Sequence, residues 1–165
     1  MTTNAATGSW AEAPLGDLID HILIHYHQPL NVDLPRLEGM ARELLDRHRD
    51  KAESMLTDLL RTFQGLKAEL EQHMMKEEQI LFPMIKRGQG AMADGPISVM
   101  EHEHENANAA LGRLRSLTDD YEVPDGAGDG WHELWRGLAA LETSLHEHIH
   151  LENDILFPRA LASGG

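Results

Sequence analysis

The chain contains no cysteine. That absence excludes disulfides, thiolate metal ligands, protein-bound iron–sulfur clusters and a cysteine nucleophile, and it fits an intracellular protein without requiring one. Basic residues are scarce, 14 against 28 acidic ones, and the formal net charge is −14. The Lys and Arg residues are scattered, so no basic patch is offered to nucleic acid or to an anionic membrane surface, and neither is expected as a partner. No apolar run approaches the length needed to cross a bilayer. Residues 1–9 are small and polar, without the basic start or apolar stretch of a signal peptide, and a cytoplasmic location is expected. No segment alternates apolar and polar residues with period two, so there is no sheet to build.

What the chain does have is histidine, 11 residues of it, and a segment written twice. His73-Met-Met-Lys-Glu77-Glu-Gln-Ile-Leu-Phe-Pro83 aligns with His148-Ile-His-Leu-Glu152-Asn-Asp-Ile-Leu-Phe-Pro158 at a constant offset of 75. Each copy carries His and Glu at i and i+4, a spacing that puts both side chains on one face of an α-helix, one turn apart. This is the spacing of metal ligands.

The length suits one domain with its own core. Residues 1–13 read as a disordered tail and residues 14–162 as four amphipathic helices. The first begins near Pro14 or Leu15 and, if its phase is carried through Pro29 and Pro35, continues to about His48; a break around Asn31 to Asp33 is the alternative. The second runs from near Lys51 to before Gly88. The third follows Gly95-Pro96 and ends near Tyr121, and the fourth runs from Trp131 to the second Phe-Pro, where regular helix should stop. Short connections make this an all-α, up-down-up-down four-helix bundle with an internal two-fold repeat. Placing His27 opposite His104 aligns Leu34 with Leu111 and Arg36 with Arg113, at an offset of 77.

Helical phase sorts the polar residues. Advancing 100° per residue, Glu77 and Glu152 fall within the apolar stripes of their helices, with His73 and His148 at the margins. Glu78 points well away. A carboxylate in a core face is costly unless something positive neutralises it, and no Lys or Arg shares that face nearby. His104 lies in the stripe of the third helix. On the first helix the opening turns alone favour His25, whereas the whole helix and the repeat favour His27. His21, His25, His102, His132, His146 and His150 read as solvated or as standing behind the inward set. The inward set is therefore His27, His73, Glu77, His104, His148 and Glu152.

Four imidazoles and two carboxylates suit two ions that share the acids better than one ion, and imidazole with bridging carboxylate favours iron over zinc. A ferritin-like bundle would need Glu-x-x-His on two helices and a Glu on each of the others. Glu101 with His104 and Glu147 with His150 have that spacing, but the second pair points outward by phase and the middle of the first helix has no Glu.

The repeated His-x-x-x-Glu segments with their Leu-Phe-Pro ends, and Gly95-Pro-Ile-Ser-Val-Met-Glu101 with His104, closely resemble the hemerythrin-like domain of the di-iron proteins that repair iron–sulfur clusters. The resemblance spans about Leu15 to Ala162. It implies a hemerythrin-like bundle holding two iron ions in an oxo- or hydroxo-bridged centre on the six residues above. It also implies a role in restoring iron–sulfur proteins under nitrosative or oxidative stress, by binding or reducing nitric oxide or by donating iron. Its partners would be a small diatomic ligand, nitric oxide or oxygen, and damaged iron–sulfur proteins. The alternative is a hemerythrin-type carrier or sensor that binds oxygen or nitric oxide reversibly. Members commonly carry a small N-terminal domain with adjacent cysteines, which this sequence lacks. They also have a further histidine matching His48, which sits 21 residues, roughly 31 Å of helix, from His27 and so lies outside the expected ligand set.

Overall fold

A computed structural model describes residues 10–49 and 52–163. Residues 1–9 of the expected tail, and the expected helix start at Lys51, lie outside the described residues. Four long helices dominate: α1 (residues 15–47), α2 (53–86), α3 (Asp94–Leu117) and α4 (129–162), with a short 3₁₀ turn at Gly90–Met92. Among the described residues there is no strand, and no helix is long and apolar enough to cross a membrane.

The tail expectation gives way at its inner end. Trp10 is half-buried, its ring lies 4.7 Å from that of His21, and Arg159 donates to its carbonyl at 2.6 Å. The alternative break in α1 is not found. Gln28–Arg47 is continuous helix, with Pro35 on its exposed face, where the carbonyl left without a donor can be hydrated.

Three helices contain a π-helical turn: Leu23–His27 in α1, Glu77–Leu81 in α2 and Leu151–Leu156 in α4. Each closes with an i to i−5 hydrogen bond, from Gln28 N–H to Leu23, Phe82 N–H to Glu77 and Phe157 N–H to Glu152. Each is followed two residues later by proline: Pro29, Pro83 and Pro158. Proline has no N–H, and its ring collides with the carbonyl four residues back in a regular helix. Those carbonyls belong to His25, Gln79 and Asp154, inside the widened turns, so the π geometry absorbs the proline and the helix continues. Helix therefore continues through both Phe-Pro pairs: α2 runs to Lys86, ending before Gly88 as expected, while α4 runs past its expected stop at the second Phe-Pro to Ala162.

Helix α2 ends in a Schellman motif. Gly88 has φ +78°, its N–H donates to Ile85, and Gln89 N–H donates to Met84. Helix α3 stops at Leu117, short of the expected Tyr121, because Asp119, Asp120 and Tyr121 all have positive φ, a turn held by Tyr121 N–H donating to Thr118 Oγ1.

The buried apolar residues form two clusters. The larger includes Leu34, Leu37, Phe63, Leu66, Leu111, Leu134 and Trp135; the smaller includes Leu18, Ile22, Leu81, Phe82, Ile97, Leu156 and Phe157. On every helix the boundary between them falls at a polar position: His27 in α1, His73 and Glu77 in α2, His104 in α3, His148 and Glu152 in α4.

Candidate metal centre

The six residues singled out from the sequence are brought together. All are buried, and both carboxylates have no exposed surface. They form two overlapping groups, His27, Glu77, His148 and Glu152, and His73, Glu77, His104 and Glu152; within each, one potential ligand atom per residue lies within 4.8 Å of all the others. Both carboxylates belong to both groups. Of the remaining histidines, His25 is exposed, and His48 packs edge-on against Trp131 in the loop-end part of the larger cluster, away from the polar layer.

The π turns explain how His27 reaches the layer. The inward positions of α1 run Leu18, Ile22, His27, Leu30, Leu34, with a step of five at the π turn where a regular helix steps three or four. Regular phase alone therefore points to His25, while the actual helix turns it to solvent.

All four rings direct Nε2 into the layer. His27 Nε2 lies 3.2 Å from Glu77, His73 Nε2 3.4 Å from Glu77, His104 Nε2 3.0 Å from Glu152 and His148 Nε2 3.4 Å from Glu152. Nε2 of His73 and His104 are 3.1 Å apart. Phe82 stacks on His27 and Phe157 on His104, the same pair in each half of the repeat.

Behind the rings stand acceptors that phase and spacing did not identify. His27 Nδ1–H donates to Glu78 at 3.0 Å, His73 Nδ1–H to Glu103 at 2.9 Å, and His104 Nδ1–H to Asn153 at 2.8 Å. Lys76 also pairs with Glu103. Glu78, read as pointing away from the core, does so with its carboxylate half-exposed and still reaches His27. A usable signal was present: Glu78 and Asn153 each follow an inward Glu, and Glu103 directly precedes an inward His.

The electrostatics are those of cations and carboxylates confined together. Burial opposes protonation of His27, but the carboxylate of Glu77 beside its Nε2 outweighs it and its pKa is raised. Burial likewise opposes a charged His73, yet Glu152 and Glu77 push it up to about 11. His104 is raised against its burial by Glu152. Burial would raise Glu152, but the charge of His148 holds its carboxyl well below the usual range. Glu142 shows the ordinary solution for a buried acid, an ion pair with Arg115 at 2.6 Å. No Lys or Arg among the described residues reaches Glu77 or Glu152. Both of their oxygens, and Nε2 of His27 and His148, are buried without a hydrogen-bond partner. Atoms left so, all lone-pair donors aimed at common points, fit cations in the layer. A cleft of about 130 Å³, lined by Glu69, Gln72, Glu103 and Asn106, leads from solvent to His73 and His104.

A helical bundle that buries paired His and Glu ligand groups in its core defines a cation-binding domain. The chain belongs to the family described as the hemerythrin HHE cation binding domain, which it matches over residues 18–160. Curated relatives include the iron-sulfur cluster repair protein YtfE of Pectobacterium atrosepticum, 47% identical over 152 residues that make up 92% of this chain and 68% of that one. The protein of the same name from Dickeya chrysanthemi is 47% identical over 154 residues, with the same shares covered. That of Escherichia coli O81 is 46% identical over 153 residues, 93% of this chain and 69% of the relative.

Proposed function

We propose that this chain holds two iron ions and takes part in the repair of iron–sulfur clusters damaged by nitric oxide or oxidants. His27, His148, Glu77 and Glu152 would hold one ion, and His73, His104, Glu77 and Glu152 would hold the other. The observation that carries this reading is the pair of buried ligand groups overlapping at Glu77 and Glu152. The names of the relatives favour repair over a reversible oxygen or nitric oxide carrier.

Bound iron would supply redox chemistry and coordination positions for a diatomic ligand. The chain's own groups do the rest. Glu78, Glu103 and Asn153 fix the tautomer and direction of three imidazoles. Phe82 and Phe157 close the smaller core over the layer and limit water. The cleft beside His73 and His104 admits only small molecules or a single ion. These 165 residues contain no thiol, so none of them serves a thiol-dependent step of repair.

The test is iron content with an electronic spectrum, followed by reactivation of a nitric oxide-damaged iron–sulfur enzyme. The expected result is two iron ions per chain and reactivation that is lost with Glu77→Ala or Glu152→Ala. Iron-free protein, or reactivation indifferent to both substitutions, would overturn the proposal.

A further inference from the structure

The repeat that aligns the ligands also aligns what stands behind them, and there the halves differ. Glu78 behind His27 corresponds to Asn153 behind His104, at the offset of 75. Glu103, behind His73, corresponds at the offset of 77 to Tyr26, which lies against His148 as the repeat requires. Tyr26 does not do what Glu103 does. Its ring stacks on the imidazole, with centroids 5.4 Å apart and planes 30° apart, and its hydroxyl turns aside to donate to Glu147 at 3.4 Å. His148 Nδ1 is buried with no hydrogen-bond partner, the one such Nδ1 among the four rings.

An acceptor on the far nitrogen raises an imidazole's basicity and fixes its direction, and losing one weakens metal binding about 10–100-fold. Resting on the di-iron reading above, we infer that the two ion positions are unequal. The position between His27 and His148 holds its ion more weakly and releases it first; the position between His73 and His104, with both rings tethered, retains its ion. Tyr26 is the positioning residue that creates the difference. The arrangement suits an iron donor, because one ion can leave while the other keeps the two buried carboxylates neutralised. Accessibility alone would give the opposite order, since the cleft opens beside His73 and His104. The two orders are separable.

The experiment loads the intact protein anaerobically with ferrous iron, measures its iron content, then mixes it with excess ferrozine and follows the coloured complex. Two phases of one iron each are expected, with the first about tenfold faster or more. Tyr26→Glu, which supplies an acceptor for His148, slows the fast phase by a similar factor. Glu103→Tyr, made in the other half of the bundle, speeds the slow phase toward the fast one. Tyr26→Phe keeps the stacked ring and leaves both phases as they are. A single phase for both ions would overturn the inference, as would Tyr26→Glu acting on the slow phase or Glu103→Tyr acting on the fast one. Iron uptake below two per chain, seen before any chelator is added, would sink the di-iron reading and this inference together.

Discussion

At the residue scale, the side chains of the polar layer are set by what opposes them. Glu77 and Glu152 lie beside each other among imidazoles, and acids so placed in a core need positive charge beside them. Glu77→Gln and Glu152→Gln keep the shape but weaken a carboxylate proposed to serve both ions, and iron per chain is expected to fall toward one or none by metal analysis. Asn153→Ala removes the acceptor behind His104, and iron affinity at that position should drop about 10–100-fold in a chelator competition while the fold, followed by circular dichroism, is unchanged. His73 is pushed up to about 11, so at pH 7 it carries a proton that a metal must displace, because only the neutral ring ligates. Iron binding at pH 7 should therefore release protons, measurable as a dependence of binding enthalpy on the buffer's heat of ionisation. An enthalpy that is the same in all buffers would contradict the geometry.

At the element scale, the helices and their partnering were legible in the sequence, and the irregularities inside them were not. The 75-residue echo and the 100° phase were enough to place His73, Glu77, His104, His148 and Glu152. His27 needed the repeat, because regular phase assumes 3.6 residues per turn and the Leu23–His27 turn does not obey it. The prolines at 29, 83 and 158 were visible, but they were read as kinks or ends when they mark π turns beside the inward residues. The acceptors Glu78, Glu103 and Asn153 escaped because a side chain on the helix flank reaches its partner on another helix, which no single-helix projection displays. One connection is similarly constrained by a contact that sequence does not reveal. A Cβ on Gly90 would sit 2.5 Å from the carbonyl oxygen of Ala160, where the 3₁₀ turn packs on the end of α4. Gly90→Ala is expected to destabilise the protein by about 1–3 kcal/mol in urea unfolding, the scale of overpacking. Gly95→Ala, with open space around its Cβ, should not.

At the scale of the whole molecule, the polar layer divides the core and ties stability to what fills it. In the metal-free protein His27, His73 and His104 have raised pKa values, so their contribution is fully present below about 6.5 and is lost as pH rises through the folded values, about 11 for His73. Glu152 is depressed, so its contribution is present above about 4.5 and is lost as pH falls through its lowered value. The metal-free Tm should accordingly be highest in mildly acidic buffer and decline toward alkaline pH. On the proposed function iron would take over the role of those protons, so the loaded protein should melt higher than the metal-free protein at pH 8, by a margin that grows with free iron concentration. Thermal melts with and without a chelator check both statements.

The most direct measurement is anomalous diffraction at the iron edge from crystals of the iron-loaded protein. The account predicts two peaks in the polar layer, one beside His27 and His148 and one beside His73 and His104, each within bonding reach of both Glu77 and Glu152. A single peak, or iron bound elsewhere with those carboxylates unligated, would contradict it.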